Sequence, residues 1–578
     1  MRKVLLIISL IFLPAFAFTQ DIDLERIVVE KIYTPADTIG FEAFSPYDLE
    51  TLPFSSLEEI IDYSSSVDLR KRSSFGIQQD LSIRGSIFED NSVSLAGIEI
   101  NDPQTGHFNL EIPLTSADLE HLDIFKNSQS INFTPKKPED KGAIIASYWG
   151  EHALWEQLLS VNFALKEVKN RISVEHKISS GDRHDTDFEV YNFSSHSLWG
   201  QDGRELELLF GSTKRDFGAD SFYSAAFRQE EEHIAQQFYL ARFGLEEEDF
   251  NLNNTAYFRR HSDEFILNRH NPSFYKNNHT TYVYGLKSDL DLKNDFFFSF
   301  DIEREKINST NLSKHHRVRK GGSLGLKEKK INSFVIGFNA GLDYYEEWEY
   351  LDNSHFDLGY LINEDLKLQF LFDRIWRAPS FTELYYVSPA NIGNPNLDVQ
   401  RSNNYEIGFE CSPEDNINLG ASFFYRDQSD TIDWVKNVTV NPWQAQNVED
   451  IEFYGLDSFL QVEFKESFLN RLGISYTYLE SDKKNPFNFS KYVFDYNRHK
   501  TVTDLEFSLG DISFYLITNF SKPVDRKEYV TCDIKIAKKI SDFTFEIEGI
   551  NIFNKDYEEL EDIPGTGRWY KLGVSYSF

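Results

Sequence analysis

Cysteine and methionine are almost absent from this chain of 578 residues. It has two cysteines, Cys411 and Cys532, and one methionine, which is the first residue. Two cysteines do not make the disulfide framework of a small secreted domain. The strand pattern described below places them on well-separated strands, so we expect two free thiols.

Long apolar runs are missing after the first 20 residues. No later stretch approaches the ~18 apolar residues that a membrane helix needs, and the mean hydropathy is -0.45. At the start, Arg2 and Lys3 precede an apolar run at 4–16, and Ala-Phe-Ala at 15–17 is a small-residue cleavage pattern. We therefore predict a secretory signal peptide over 1–20 and exclude a helical membrane protein.

Positive charge is scarce. The chain carries 59 Lys and Arg against 93 Asp and Glu, which gives a formal net charge of -34. Binding to nucleic acid needs a basic face, so this composition predicts no nucleic-acid partner.

Catalytic motifs are also missing. The sequence has no glycine-rich phosphate loop, no HExxH and no CxxC, so we predict that the protein is not an enzyme and requires no cofactor. His270, His279, His315 and His316 lack the spacing of metal ligands, and we interpret them as histidines of separate polar loops.

Aromatic residues are abundant, at 15% of the chain, and from Gly142 onward apolar and polar residues alternate. One example is 159–165, where Leu, Val, Phe and Leu alternate with Ser, Asn and Ala. A large soluble β protein, such as a propeller or a sandwich, would show the same alternation. Charged residues on the polar face and an alternation of short and long connections favour a membrane barrel.

The connections give the strand number. About ten short turns alternate with about eleven longer connections, which predicts about 22 antiparallel strands with short turns at one end and long loops at the other. A barrel of that size has a lumen that needs a plug. The largest of the long connections are 215–230, 262–278, 379–402, 427–447 and 482–498.

We predict an N-terminal α+β plug domain at 36–145 and a transmembrane β-barrel at 146–578. The plug is organised around 81–103, two short alternating runs with turn signals. At 55–61 the pattern predicts a short helix, which Ser56 can cap with a glutamate three residues later.

Several motifs resemble those of TonB-dependent receptors from Gram-negative-type outer membranes. LSIRG at 81–85 resembles the arginine-glycine signature of their plug, and DLEHLDIFK at 118–126 resembles a later plug segment. In the barrel, WRAPSFTELY at 376–385, GNPNL at 393–397 and NIFNKDY at 551–557 continue the resemblance. It covers essentially the whole mature chain and implies an outer-membrane active transporter with a 22-stranded barrel around a plug.

The resemblance also assigns a role to the N-terminal linker at 21–35. By composition, its extended β-branched run could be the first strand of the plug. In the family, this segment pairs with the TonB-type energy-transducing complex of the inner membrane, as an added strand would. The implied TonB box consists of Glu25, Arg26, Ile27, Val28 and Val29.

Within the family, the likeness is greatest to cobalamin receptors, because the mature chain is short and IGNPNLD at 392–398 fits their pattern. We therefore expect cobalamin to be bound and imported into the periplasm. A ferric-siderophore or other metal-chelate receptor is the alternative, and a passive porin or a binding-only receptor is an alternative of another class. The loop residues compatible with a siderophore are Tyr385, Tyr386, Arg401, Trp434 and Trp443.

Position in the plug suggests which residues contact the substrate, although ordinary turn chemistry explains them equally well. Gly76 and Gly106 permit tight turns, and the flanking phenylalanines can pack on an apolar ligand. The candidates are Phe75, Gly76, Ile77, Gln78, Gln104, Thr105, Gly106, His107 and Phe108.

In cobalamin receptors, aspartates on two neighbouring extracellular loops bind calcium. The matching residues are Asp185, Asp187 and Asp220, whose oxygen ligands on flexible loops suit Ca²⁺. Carboxylates solvated on loops are the alternative reading. We expect the protein to be a monomer surrounded by outer-membrane lipid.

Overall fold

The structure is a computed structural model. It describes residues 37–222, 227–439, 441–448, 450–465, 467–482, 487–560 and 563–578. The predicted signal peptide and the predicted TonB box at 25–29 lie outside the described residues.

The small N-terminal domain, here called the plug, precedes the first long strand. Its regular elements are β1 Asp37–Thr38, β2 Phe41–Phe44, α1 Pro46–Thr51, a 3₁₀ helix Leu57–Tyr63, β3 Val67–Lys71, β4 Gln79–Ile83, β5 Ser92–Leu95, β6 Ile98–Glu99, the 3₁₀ helices Gly106–Phe108 and Ser116–Asp118, β7 Leu119–Phe125 and β8 Ser130–Pro135. Six strands form a mixed sheet in the order β1-β2-β7-β8-β5-β6, and β3 pairs with β4. This confirms the predicted α+β plug.

The two plug helices near the N-terminus begin in different ways. Ser45 caps α1 in a capping box, with its backbone N–H 2.9 Å from the Asp48 carboxylate. The helix predicted at 55–61 is a 3₁₀ helix, and the side chain of Ser56 makes no capping hydrogen bond. The predicted Ser56 cap is wrong, because Ser56 Oγ has no hydrogen-bond partner, and Glu59 accepts from the backbone N–H of Ser55 at 3.1 Å rather than from that of Ser56.

The rest of the chain is dominated by long antiparallel strands. The first part comprises β9 Lys141–Gly150, β10 Trp155–Leu165, β11 Val168–Ser179, β12 Phe188–Gln201, β13 Arg204–Gly218, β14 Glu231–Glu246, β15 Phe250–Ile266, β16 Lys276–Leu292, β17 Phe296–Ser309, β18 Ser313–Ile331, β19 Phe334–Tyr345, β20 Glu349–Leu361 and β21 Leu366–Arg377. The second part comprises α2 Phe381–Tyr385, β22 Asn391–Ile392, β23 Gln400–Glu414, β24 Ile417–Ser429, β25 Ile432–Lys436, β26 Trp443–Asn447, β27 Ile451–Glu463, β28 Leu469–Asp482, β29 Phe489–Ser490, β30 Asn497–Leu509, β31 Ile512–Pro523, β32 Tyr529–Ile540, β33 Phe543–Ile550, β34 Glu558–Leu560, β35 Ile563–Pro564 and β36 Trp569–Ser577.

Twenty-two of the described strands close into one barrel, in which β36 pairs with β9. The strand number and the antiparallel order confirm the sequence prediction. The first barrel strand starts at Lys141, so its first five residues precede the predicted domain boundary. Cys411 on β23 and Cys532 on β32 are free thiols on strands that are not neighbours.

The barrel wall has an outward apolar face and a lumen face. On β14, Tyr239 is 43% exposed, whereas the adjacent Phe238 and Leu240 are 0% and 3% exposed. Leu240 packs in the same apolar cluster as Ile83 and Leu122 of the plug, so the plug fills the lumen. In the described part of the chain, no helix has the length and apolar character needed to cross a membrane.

Three of the long connections fold together at the long-loop end. They supply α2 and a four-stranded sheet in the order β22-β26-β25-β29, which we call the cap. Its apolar side contains Phe381, Leu384, Ile432 and Trp434. Because these connections are far apart in sequence, the cap is a tertiary feature.

Candidate functional site

The first apical loop of the plug, at 72–79, is anchored from below. Phe75, Gly76 and Gln78 all have positive φ, at 63°, 74° and 44°. Glu59 accepts a hydrogen bond from the Phe75 backbone N–H at 2.8 Å, and Arg215 of the barrel donates to the Gly76 carbonyl. The turn is therefore held between the plug and the barrel wall.

Gly76 is required at this turn. A Cβ there would lie 2.8 Å from Ser56 Oγ and 2.9 Å from Glu58 Oε2, and its φ lies in the left-handed region that favours glycine. Phe75 contacts Trp569 edge-on, with ring centroids 4.8 Å apart, and lies 5.4 Å from the Phe188 ring. Its ring therefore packs against the first residues of two barrel strands, β36 and β12.

The second apical loop, at 103–109, is organised by Glu89. Its carboxylate accepts hydrogen bonds from Thr105 Oγ1 at 3.0 Å and from the Gly106 backbone N–H at 2.9 Å. Burial and, after it, the neighbouring Glu383 raise the pKa of Glu89 from 4.5 to about 8. A carboxyl of the plug therefore titrates near neutral pH at the base of this loop.

Asp80 joins the two apical loops. Its carboxylate lies 2.6 Å from His107 Nδ1 and 2.8 Å from Arg72 Nη1. Burial disfavours the charged form of Asp80 and by itself would raise its pKa. The attraction of Arg72 and His107 is larger in sum and holds the pKa of Asp80 below its usual range. The His107 ring also stacks on Phe88, with centroids 4.0 Å apart.

The cap covers the second apical loop. The backbone N–H of Phe381 donates to the Pro103 carbonyl at 2.8 Å, and that of Thr382 donates to the Gln104 carbonyl at 3.0 Å. Arg377 adds a charged contact, because it lies 2.9 Å from Asp90 of the plug and 2.7 Å from Glu383 of α2. The loop is thus closed to solvent from above.

All nine residues suggested as substrate contacts lie in these two loops. Eight of them are buried, and the His107 side chain is 15% exposed. Their role as substrate contacts stays a prediction. In the conformation described here a ligand reaches them only after the cap or the neighbouring loops move.

Sequence reasoning missed the residues that fasten the cap. Arg377 and Glu383 stand within the WRAPSFTELY motif, but no role was assigned to them. Glu89 and Asp90 follow the plug's arginine-glycine motif in a polar turn. The sequence does show a basic residue in the barrel motif and acidic residues after the plug motif. Only the fold brings these two motifs close enough for the charges to pair.

The aspartates suggested as calcium ligands lie close to an arginine. Arg269 Nη1 lies 2.5 Å from Asp187 Oδ1 and 3.2 Å from Asp185 Oδ1, and its Nη2 lies 3.4 Å from Glu231. Asp220 approaches through its backbone N–H, which donates to the Asp185 carbonyl at 3.2 Å. Arg269 thus supplies a positive charge where the sequence predicted Ca²⁺, and calcium binding stays a prediction.

The interpretation of three histidines as loop residues is wrong. His279 lies on β16, and His315 and His316 lie on β18. The His315 ring stacks on Tyr385 of the cap, with centroids 3.6 Å apart. Within the described ranges, no group of three or more His, Cys, Asp or Glu side chains is arranged to hold a metal ion.

Comparison with known proteins connects this architecture to a family. The model of the family described as "TonB dependent receptor-like, beta-barrel" matches residues 170–576. The vitamin B12 transporter BtuB of Photobacterium profundum is 24% identical over 232 residues, which are 38% of this chain and 36% of that protein.

Solved structures share the fold over nearly the full length. The siderophore receptor PirA of Pseudomonas aeruginosa has a TM-score of 0.75 at 15% identity, covering 94% of this chain and 100% of that one. The copper transporter OprC has a TM-score of 0.78 at 12% identity, covering 93% and 98%. Since the family model spans most of the chain, the protein belongs to the TonB-dependent receptors, a family of outer-membrane β-barrels that are not enzymes.

Proposed function

We propose that this protein is an active transporter that binds cobalamin at the cell surface and releases it into the periplasm, driven by a TonB-type complex. The observation that carries the proposal is the plug, which is fastened within the lumen by buried ion pairs. Arg84 of the plug, for example, pairs with Glu406 and Asp457 of the barrel. A passive porin needs an open lumen, so a plugged barrel favours coupled transport.

Cobalamin is favoured as the cargo by two similarities. BtuB, a vitamin B12 transporter, is similar over part of the chain, and IGNPNLD at 392–398 fits the pattern of cobalamin receptors. The cap and the two apical loops form the recognition surface in this proposal. Binding must favour one plug state over another for the signal to reach the periplasmic side.

Two measurements test the proposal. Cyanocobalamin should bind the purified, detergent-solubilised protein, and a B12-requiring host without its own receptor should grow when it expresses the chain. Deleting 25–29 should leave binding unchanged and abolish growth, because the energy-transducing partner loses its strand. Growth that survives this deletion indicates a passive pore, and binding without growth in the intact chain indicates a binding-only receptor.

A ferric siderophore is the second candidate cargo, favoured by the aromatic side chains of the cap. Tyr385 stacks on His315, and Lys436 lies 4.0 Å from the ring centroid of Trp443. PirA, a siderophore receptor, shares the fold. If cyanocobalamin does not bind, a panel of ferric chelates tested for binding to the same protein distinguishes this candidate.

A further inference from the structure

A buried guanidinium that has no carboxylate partner among the described residues lies on the lumen wall beneath the cap. Arg426 on β24 is 4% exposed, and its Nε and Nη2 atoms have no hydrogen-bond partner. No described carboxylate forms an ion pair with it. Burying an unpaired ion is costly, so such a group calls for a compensating ligand.

Two other buried arginines of the lumen pair with carboxylates of the plug. Arg215 pairs with Glu58 and Glu111 of the plug, and Arg259 lies 2.8 Å from Asp102. Arg426 is therefore different in kind from these plug-anchoring arginines.

A second free donor faces Arg426. Asn404 on β23 is the register partner of Arg426, and it is 3% exposed. Its Oδ1 accepts from Ser402 Oγ at 3.0 Å, whereas its Nδ2 has no partner. Two adjacent strands thus present unsatisfied donors at the same level of the wall.

The two charged groups whose electrostatic influence on Arg426 is largest already have other partners. They are Asp90 and Arg84 of the plug. Asp90 Oδ1 lies 2.9 Å from Arg377 Nε and accepts from Gln400 Nε2 at 2.9 Å, and Arg84 holds its own two carboxylates. Neither group neutralises Arg426.

The place of Arg426 is fixed by its ring contact. Its guanidinium carbon lies 4.1 Å from the ring centroid of Phe453. Phe453 belongs to one apolar cluster with Ile87 of the plug and Val435 of the cap. Arg426 therefore stands where plug, cap and barrel wall meet.

We propose that Arg426 and Asn404 form a binding site for an oxyanion, a carboxylate or a phosphate group, below the cap. A guanidinium fork beside an amide N–H matches the geometry of these groups. The inference rests on the proposed transport function, because a cargo that passes the opened cap would meet this site beside the plug. The oxyanion is an acidic group of the cargo or a free anion, and the experiment distinguishes the two.

Thermal unfolding in detergent tests the site without knowledge of the cargo. Phosphate or citrate is titrated against chloride at constant ionic strength, since a ligand of the native state raises Tm. We expect phosphate and citrate each to raise the Tm of wild type, and Arg426→Met to keep only the smaller rise that such kosmotropic anions give any folded protein. In chloride, Arg426→Met should unfold no earlier than wild type, because it removes an unpaired buried charge.

Two further variants complete the design. Arg426→Lys keeps the positive charge but replaces the two-pronged guanidinium by a single ammonium group. It should weaken the apparent affinity for the anion about tenfold, because one charge-assisted hydrogen bond is lost. Arg374→Met removes an exposed arginine, 40% exposed and paired with Asp352, and should keep the full wild-type shift. No shift in wild type overturns the proposal, and so does a full shift in Arg426→Met.

Cyanocobalamin, which carries one phosphodiester, identifies the source of the oxyanion. If saturating cyanocobalamin abolishes the phosphate-dependent shift of wild type, the site takes the acidic group of the cargo. If the shift persists beside bound cyanocobalamin, the site takes a free anion. If cyanocobalamin does not bind at all, the proposal that cobalamin is the cargo is rejected. The anion titration still tests whether Arg426 and Asn404 bind an oxyanion.

Discussion

Arg84 of the plug and Glu406 of the barrel wall form a two-pronged ion pair, with Nη1 2.9 Å from Oε2 and Nη2 2.8 Å from Oε1. Both side chains are buried, and Arg84 also reaches Asp457 at 2.5 Å. Its backbone has φ of +48°, a conformation that persists in a non-glycine residue only when its surroundings fix it. The pair is therefore a principal attachment between plug and barrel.

We predict that Glu406→Ala destabilises the plug–barrel contact by about 3–5 kcal/mol, because it leaves a buried guanidinium short of a partner. Hydrogen exchange of the plug amides at 79–91 measures the effect. Asp352→Ala is the matched control, since its pair with Arg374 is exposed and should be worth less than about 1 kcal/mol. Equal effects of the two variants would show that the Arg84 pair does not anchor the plug.

Arg269 should order the neighbouring loops without added metal. In wild type, amide protection at 181–187 and 218–222 should be unchanged by EDTA, whereas Arg269→Gln should lose it. Lys276→Gln, which removes a more exposed pair with Glu264, should have little effect. Loss of protection in EDTA-treated wild type would instead support the predicted calcium site at Asp185, Asp187 and Asp220.

The Arg269 contact should be insensitive to pH between about 5 and 8. The hydrogen bond from Arg269 is the main cause that lowers the pKa of Asp187 below its ordinary value of 3.8. A lowered carboxyl pKa gives stability that is present above the ordinary value and is lost as the pH falls through the lowered one. Protection of 181–187, corrected for intrinsic exchange, should therefore decline only in acid below about pH 4.

Glu89 should make the cap contact weaker as the pH rises. Its pKa shifts from 4.5 to about 8, first through burial and then through Glu383. A raised carboxyl pKa means that the folded state binds the proton more tightly, so stability falls as the pH rises from 4.5 through 8. Exchange of the amides of Phe381 and Thr382, which bond to the plug, should report this loss.

Glu89→Gln should remove that pH dependence while keeping the acceptor for the Gly106 N–H. Glu50→Gln, at an exposed position of α1, should leave the wild-type profile unchanged. A Glu89→Gln protein with the wild-type pH profile would assign the titration to another group.

Deleting the plug at 37–140 should open the lumen. In planar bilayers we expect no steady ion conductance for the intact protein and large, stable openings for the deletion variant. The reason is that plug residues such as Ile83 and Leu122 occupy the barrel interior, where they pack on lumen residues including Leu240. Steady conductance of the intact protein at the same level would contradict a closed plug.

The strand number could be predicted because it depends on local information. Each strand is recognisable from the alternation of apolar and polar residues, and each connection is recognisable as a short turn or a long polar loop. Closure is then required, since an open sheet edge cannot lie in lipid. The same locality explains the errors: polar residues at the start of long strands let His279, His315 and His316 be taken for loop residues, although they lie on strands.

The candidate site depended on contacts between distant segments. The sequence by itself determined the barrel, the presence of a plug and the family motifs, because these follow from periodicity and short local patterns. Only the tertiary structure decided that Arg377 fastens Asp90 beneath the cap, that Arg269 meets Asp185 and Asp187, and that Arg426 is left without a carboxylate. The physical reason is that a charge acts through the distance to its partner, and the fold alone sets that distance for residues far apart in the chain.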